Sequence, residues 1–236
     1  MAGVVLDFDG TLAPIVDDPG AARPLAGALD AVAALVRTYR LVAVVSGRPA
    51  AFLATHLDVA GLVRVGSYGL ERITDGRVVE VPAAAGWRAA VAGVAERASA
   101  AAPPGVVVED KGVSVTVHFR MAPAASAWAR AFADDEARAT GLVTHPARAS
   151  VELRPPLAVD KGTTVADLVA GAGVSAACCC GDDIGDLAAF AALDDLPVAL
   201  RVAARSAETP PELVAAADLV VDGPEGVLDV LRALAP

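Results

Sequence analysis

At the amino end the apolar run Val4-Val5-Leu6 is broken by Asp7, the pattern of a strand buried on both faces of a parallel sheet. Leu25, Leu29, Val32, Leu35 and Val36 then recur at helical spacing, and Pro24 ahead of them suits a first helical position. A second buried strand is predicted over 41–45, ending in Ser46-Gly47-Arg48, with Pro49 opening the next helix. Strand, helix, strand in that order makes a parallel crossover. A third strand over 62–65 runs into Gly66-Ser67-Tyr68-Gly69. A hairpin with Asp75-Gly76 as its turn then brings the chain to Pro82.

From about residue 84 to 154 the pattern becomes helix, strand, strand, helix, strand, strand. Helices are predicted over 84–101 and 123–139, and strands over 106–109, 113–120, 142–144 and 150–153. Along 113–120 the residues Val113, Val115, Val117 and Phe119 point one way, and Ser114, Thr116, His118 and Arg120 the other. Glu109 and Lys111 alternate with Val108, and Ser150, Glu152 and Arg154 with Val151 and Leu153. The apolar face should carry the two helices, leaving a sheet face dense in ionic and hydrogen-bonding groups. Pro155-Pro156 punctuates a return to parallel grammar: a helix from Lys161, a strand over 176–180, and helix-strand alternation to the end. The expected organisation is a core of 1–83 and 155–236 with an α/β insert over 84–154.

A net charge of -10 argues against a nucleic-acid partner. It also means that an anionic substrate must be held by a local arrangement of Lys, Arg, backbone amides or a divalent cation. Charged residues interrupt every apolar stretch before membrane-spanning length, and Asp7 and Asp9 break any signal-peptide core, so a cytoplasmic protein without a membrane partner is expected. The consecutive Cys178-Cys179-Cys180 lie on a strand pattern and read as small core hydrophobes. Asp134, Asp135 and Glu136 read as the solvated side of a helix.

The chemistry begins at Asp7-Phe8-Asp9-Gly10-Thr11-Leu12. Side chains at i and i+2 of a strand share a side, which would set Asp7 and Asp9 together at the carboxyl edge of the sheet, where open α/β sheets bind ligands. One carboxylate could attack while the other handles protons. Gly181-Asp182-Asp183-Ile184-Gly185-Asp186 adds carboxylates at the same edge. Asp7 and Asp182, with a backbone carbonyl near Asp9, waters and a substrate phosphate, form a hard-oxygen set suited to Mg²⁺. Ser46 and Lys161 stand at other strand-to-helix junctions as phosphate anchors.

On these motifs the chain resembles the haloacid dehalogenase superfamily of phosphatases, and within it the trehalose-6-phosphate phosphatase family. That family's landmarks match in order at residues 7–12, Ser46-Gly47-Arg48, 66–71, 108–112, His118-Phe119-Arg120, Glu152-Leu153-Arg154-Pro155, Asp160-Lys161-Gly162 and Gly181-Asp182-Asp183. The family usually continues Asp-Asp-x-Thr-Asp-Glu, where this chain has Gly185 and Leu187 in place of the Thr and Glu. The resemblance implies an α/β fold, a Rossmannoid core with a parallel sheet and an inserted α/β cap of the C2 type. It implies Asp7 as nucleophile and Asp9 as acid and base, and Ser46, Gly47, Arg48 and Lys161 around the phosphate. Asp7, Asp9 and Asp182 would hold Mg²⁺, and Glu109, Lys111, His118, Glu152 and Arg154 would bind sugar hydroxyls. The substrate class is a sugar phosphate, with trehalose 6-phosphate ahead of sucrose phosphate or a glycosyl-phosphoglycerate. A non-catalytic phosphate binder that keeps the fold, and a functional link to a separate trehalose-6-phosphate synthase, stay open at this point.

Overall fold

The buried runs form the strands they predict, because β-branched residues covered on both faces suit the middle of a sheet. The computed structural model describes residues 1–147 and 149–235. It divides into two units, Met1–Val79 with Val159–Pro236, and Glu80–Ala158.

In the first unit the chain runs β1 (Ala2–Leu6), α1 (Ala28–Thr38), β2 (Leu41–Val45), α2 (Ala50–His56), β3 (Val63–Gly66), β4 (Glu71–Thr74) and β5 (Arg77–Glu80). Helix α1 begins at Ala28 and not at Pro24. Gly27 is left-handed at φ 85°, and the Leu25 amide is already given to the Leu12 carbonyl, so the backbone before Ala28 cannot continue a helix. Asp75 and Gly76 both take positive φ, as the two-residue hairpin turn requires.

The second unit holds α3 (Arg88–Ala101), β6 (Val107–Asp110), β7 (Val115–His118), α4 (Ser126–Thr140), β8 (Val143–Ala147) and β9 (Ser150–Arg154). The first turns of the helix predicted from 84 are instead a 3₁₀ segment, Pro82–Trp87, with the poor helix former Gly86 next to its last residue. The strands pair in the order β6-β7-β9-β8. Val115, Val117 and Phe119 pack beneath α3 and α4 with Val91, Val94 and Ala129, each fully buried apolar side chain contributing about 1.5–3 kcal/mol. Glu136 is not merely solvated, since Arg97 of α3 donates to its carboxylate at 2.8 and 2.6 Å and ties the two helices.

The chain then returns through α5 (Lys161–Ala172), β10 (Ala176–Gly181), α6 (Asp186–Ala191), β11 (Val198–Arg205), α7 (Pro211–Ala216), β12 (Leu219–Asp222) and α8 (Gly223–Leu234). The large sheet is ordered β12-β11-β10-β1-β2-β3-β4-β5, with β12 through β3 parallel and β4 antiparallel to β3. Val4, Leu6, Cys178 and Cys180 face a core closed by α1, α2 and α8, while Val5 and Cys179 face one closed by α5, α6 and α7. The cysteines are thus free core residues split between the two faces by strand alternation. The strand order reverses at β1, whose neighbours are β2 on one side and β10 on the other. A crevice at the carboxyl ends of such strands is where α/β sheets bind ligands. No helix among the described residues is long and apolar enough to cross a membrane.

Candidate active site

Parallel register between β1 and β10 carries Asp7 and Asp182 out of the sheet side by side: Leu6 lies opposite Cys180, and the Asp7 amide donates to the Cys180 carbonyl at 3.0 Å. Asp186, the first residue of α6, joins them. Carboxylate oxygens of Asp7, Asp182 and Asp186 all lie within 4.8 Å of one another, and each residue is buried. Gly10, at φ 74°, permits this approach, because a Cβ there would stand 2.1 Å from Asp182 Oδ2. Gly181 does the same for Asp186, whose Cγ would be 2.3 Å from an added Cβ.

Lys161 opens α5 behind an Asp160 capping box and is 5% exposed. Its ammonium donates to Asp7 Oδ1 at 2.9 Å and to Asp186 Oδ1 at 2.6 Å. The other Asp186 oxygen accepts the amides of Asp182 and Asp183, both at 3.1 Å. Burial works against the charged lysine, yet Asp186 and Asp7 hold its pKa well above the ordinary value. Burial pushes the Asp7 carboxyl well up, with Lys161 opposing and the charges of Asp186 and Asp182 adding to the rise. Three buried carboxylates facing one ammonium leave a negative excess, and a buried charge needs a partner. A hard divalent cation of the Mg²⁺ type fits this all-oxygen donor set.

Asp9 is differently placed from the strand expectation. Strand β1 ends at Leu6, and the Leu12 and Ala13 amides turn back onto the Phe8 carbonyl, so strand alternation no longer governs where Asp9 points. Its carboxylate is not among the three that cluster. Arg48 grips it instead, Nε to Oδ2 and Nη2 to Oδ1, both at 2.7 Å. Arg48 also donates to the Pro19 carbonyl at 2.7 Å and lies 4.7 Å over the Phe52 ring, itself edge-on to Phe8. Ser46 is 1% exposed, and its hydroxyl accepts the Arg48 amide at 3.2 Å. A side chain on Gly47 would collide with Tyr68.

In the second unit, pairing register sets Glu109, Thr116, Glu152 and His145 in one row across β6, β7, β9 and β8. Glu152, 1% exposed, accepts from Lys111 Nζ at 3.2 Å, Ser114 Oγ at 2.7 Å, and Arg154 Nη2 and Nε at 2.8 and 3.1 Å. Burial alone would raise the Glu152 carboxyl, but the charges of Lys111 and Arg154, with the Ser114 and Arg154 hydrogen bonds, bring it down to about 2. His118 Nε2 lies 2.9 Å from Glu109 Oε2, and Lys111 Nζ lies 4.0 Å from the same oxygen. Burial, then Arg154, lowers the His145 pKa against the pull of Glu152. The five polar residues singled out in this segment therefore form one connected ionic cluster within their unit.

Sequence alone placed Asp186 in the 181–186 motif, Glu71 in the 66–71 landmark and Ser114 on the polar face of 113–120 without giving any of them a role of its own, and it did not single out His145. Asp186 carried a usable signal, an acid four residues beyond Asp182 at a helix start. The roles of Glu71 and Ser114 emerge from their bonds to Ala50 and Glu152, and that of His145 from its place opposite Glu152.

Residues 5–216 match the family model described as Trehalose-phosphatase. The chain belongs to the trehalose-phosphatase family. Within that family it is 39% identical over 209 residues to a trehalose-phosphate phosphatase of Mycobacterium avium, covering 83% of this chain and 52% of that protein. The chain thus spans about half the length of the curated relatives it matches. Among solved structures it is similar in fold to a trehalose-6-phosphate phosphatase related protein, with a TM-score of 0.84 and 24% identity over 99% of this chain and 96% of that one. A haloacid dehalogenase-like hydrolase from Bacteroides thetaiotaomicron superposes with a TM-score of 0.70 and 15% identity, over 98% of each chain. The fold of this trehalose-phosphatase family member is therefore haloacid dehalogenase-like, a large mainly parallel sheet with mixed α/β elements.

Proposed function

We propose that this chain hydrolyses trehalose 6-phosphate to trehalose and phosphate through an aspartyl-phosphate on Asp7. The observation that carries the reading is the Asp7 carboxylate itself, held at a sheet switch point by Lys161 beside two further acids. Asp7 attacks phosphorus in line, forming a new carboxylate O–P bond as the bond to the sugar oxygen breaks. As Arg48 turns from Asp9 onto the phosphate, Asp9 is freed to carry a proton, which it gives to the departing sugar oxygen. It then takes a proton from the water that attacks phosphorus, and Asp7 is released as the carboxylate. Lys161, Ser46 and Arg48, with the backbone of Gly47, hold the phosphoryl oxygens, whose charge the protein mainly positions and stabilises. Asp7, Asp182 and the main-chain carbonyl of Asp9 would hold Mg²⁺, with Asp186 keeping the loop and Lys161 in place; the ion supplies charge neutralisation at the phosphoryl group.

The 80–158 unit acts as the cap in this reading. Glu109, Lys111, His118, Glu152 and Arg154 select the sugar, because their ionic and hydrogen-bonding groups match the donors and acceptors of glucose hydroxyls. Another sugar phosphate is the competing substrate, and the family match favours trehalose 6-phosphate.

The test is phosphate release from a panel of sugar phosphates with Mg²⁺ present, for the wild type and Asp7→Asn. Activity concentrated on trehalose 6-phosphate and abolished in a folded Asp7→Asn protein is the expected result. Near-normal turnover by that variant would remove Asp7 as nucleophile, and a preference for another sugar phosphate would replace the substrate.

A further inference from the structure

Ser67 and Tyr68 take positive φ in succession, 48° and 60°. Side chains avoid that region, and consecutive non-glycine residues persist there only when their surroundings over-determine them. The surroundings are specific here. The Ser67 amide donates to the Arg48 carbonyl at 2.8 Å and the Tyr68 amide to the Ser46 carbonyl at 2.9 Å. The Tyr68 hydroxyl sits where a Cβ on Gly47 would come within 2.4 Å of it. On the other side of the turn the Tyr68 carbonyl accepts from Thr164 Oγ1 at 3.0 Å, and Thr164 lies one turn along α5 from Lys161. One strained turn thus touches both the 46–48 segment and the helix that presents Lys161.

Glu71 locks it. A single oxygen, Oε2, accepts the Ser67 hydroxyl at 2.8 Å and the Ala50 amide at 2.9 Å, and the residue is 7% exposed. Its bonds join the turn to the start of α2, which begins two residues after Arg48 behind Pro49. Neither Glu71 nor Ser67 reaches the acid cluster, so their influence runs through the segments they hold.

We propose that the Ser67-Tyr68 turn, locked by Glu71, sets the spacing between Ser46-Gly47-Arg48 and Lys161, and that Glu71 is a positioning residue for phosphate binding. This rests on the phosphatase reading above. A held segment presents its phosphate donors without reorganisation; a loosened one must be ordered by the ligand, which weakens the grip on the phosphate.

The experiment uses the whole chain with Mg²⁺, p-nitrophenyl phosphate as substrate and inorganic phosphate as competing product, below the melting temperature of every variant. Glu71→Ala should raise the phosphate inhibition constant and lower kcat/KM by roughly tenfold each. Glu71→Gln keeps a side-chain oxygen able to accept both bonds, and should restore both values to within about threefold of the wild type. Ser67→Ala, a milder change that serves if Glu71→Ala fails to fold, should shift the inhibition constant in the same direction. Variants that lose only thermal stability while the phosphate constant stays put would overturn the proposal, as would a Glu71→Gln protein as impaired as Glu71→Ala. A wild type that hydrolyses no phosphomonoester would bring down the phosphatase reading and this inference together. An active wild type indifferent to Glu71 and Ser67 would remove this inference alone.

Discussion

Arg48 meets Asp9 as a fork, Nε on one carboxylate oxygen and Nη2 on the other, each at 2.7 Å. The Arg48 side chain is 11% exposed and that of Asp9 34%, so the arginine is largely buried while the carboxylate stays partly open to solvent. A guanidinium can fill both oxygens and still reach the Pro19 carbonyl; an ammonium on a flexible stem cannot.

Arg48→Lys should therefore lower kcat/KM for trehalose 6-phosphate by about tenfold or more while keeping the charge. Steady-state kinetics on the purified variant, with a melting curve to confirm folding, decides it. Wild-type efficiency would mean that the fork has no part in orienting Asp9 or the phosphate.

In the proposed function, removal of divalent metal should silence phosphate release, and Mg²⁺ should restore it. A readout independent of turnover is available, because a ligand that binds only the folded state raises the melting temperature by mass action, contributing about 2.7 kcal/mol at a hundredfold excess over its dissociation constant. That shift should appear in the wild type and vanish in Asp182→Asn. Equal shifts in both proteins would take Asp182 out of the metal site.

Glu152 makes the second unit sensitive to acid, in a direction its surroundings dictate. Its carboxyl titrates at about 2 in the folded protein, below the ordinary glutamate value. The stabilisation is therefore fully present above that ordinary value and is lost as pH falls from there through about 2. The linked amount is on the order of 3 kcal/mol. Trp87 and Trp128 both lie in the 80–158 unit, so tryptophan fluorescence follows its unfolding. Urea midpoints measured between pH 6 and pH 3 should fall more steeply for the wild type than for Glu152→Gln. Parallel slopes would contradict the assignment.

Lys111→Ala removes a charge from Glu152 and, in the proposed function, a contact to the sugar. Turnover of trehalose 6-phosphate should drop by about tenfold or more, and that of p-nitrophenyl phosphate, which has no sugar, should change little. A common fall for both substrates would make the cluster a support of the fold and not a selector.

What the sequence settled by itself was local. Strand β2 appears at its predicted residues because a five-residue apolar run ending at Ser46-Gly47 allows no other register of burial. The turn at Asp75-Gly76 follows from residues that tolerate positive φ, and the alternation along β7 placed Val115 and Val117 against the helices. Asp7, Asp182 and Lys161 were legible as candidates because each marks the end of an apolar run or the start of a helix. Their partners were not. Asp9 and Arg48 are 39 residues apart and meet because β1 and β2 are adjacent in the sheet; Asp7 and Asp186 meet because β1 and β10 are. Glu71 finds Ala50, and Glu152 finds Lys111, across separations that no periodicity encodes. Burial pattern is carried by each residue's own polarity and can be read along the chain. Pairing depends on which strands become neighbours and in what register, a property of the packed sheet as a whole, and so the charge partners that define the site were decided only when the tertiary structure formed.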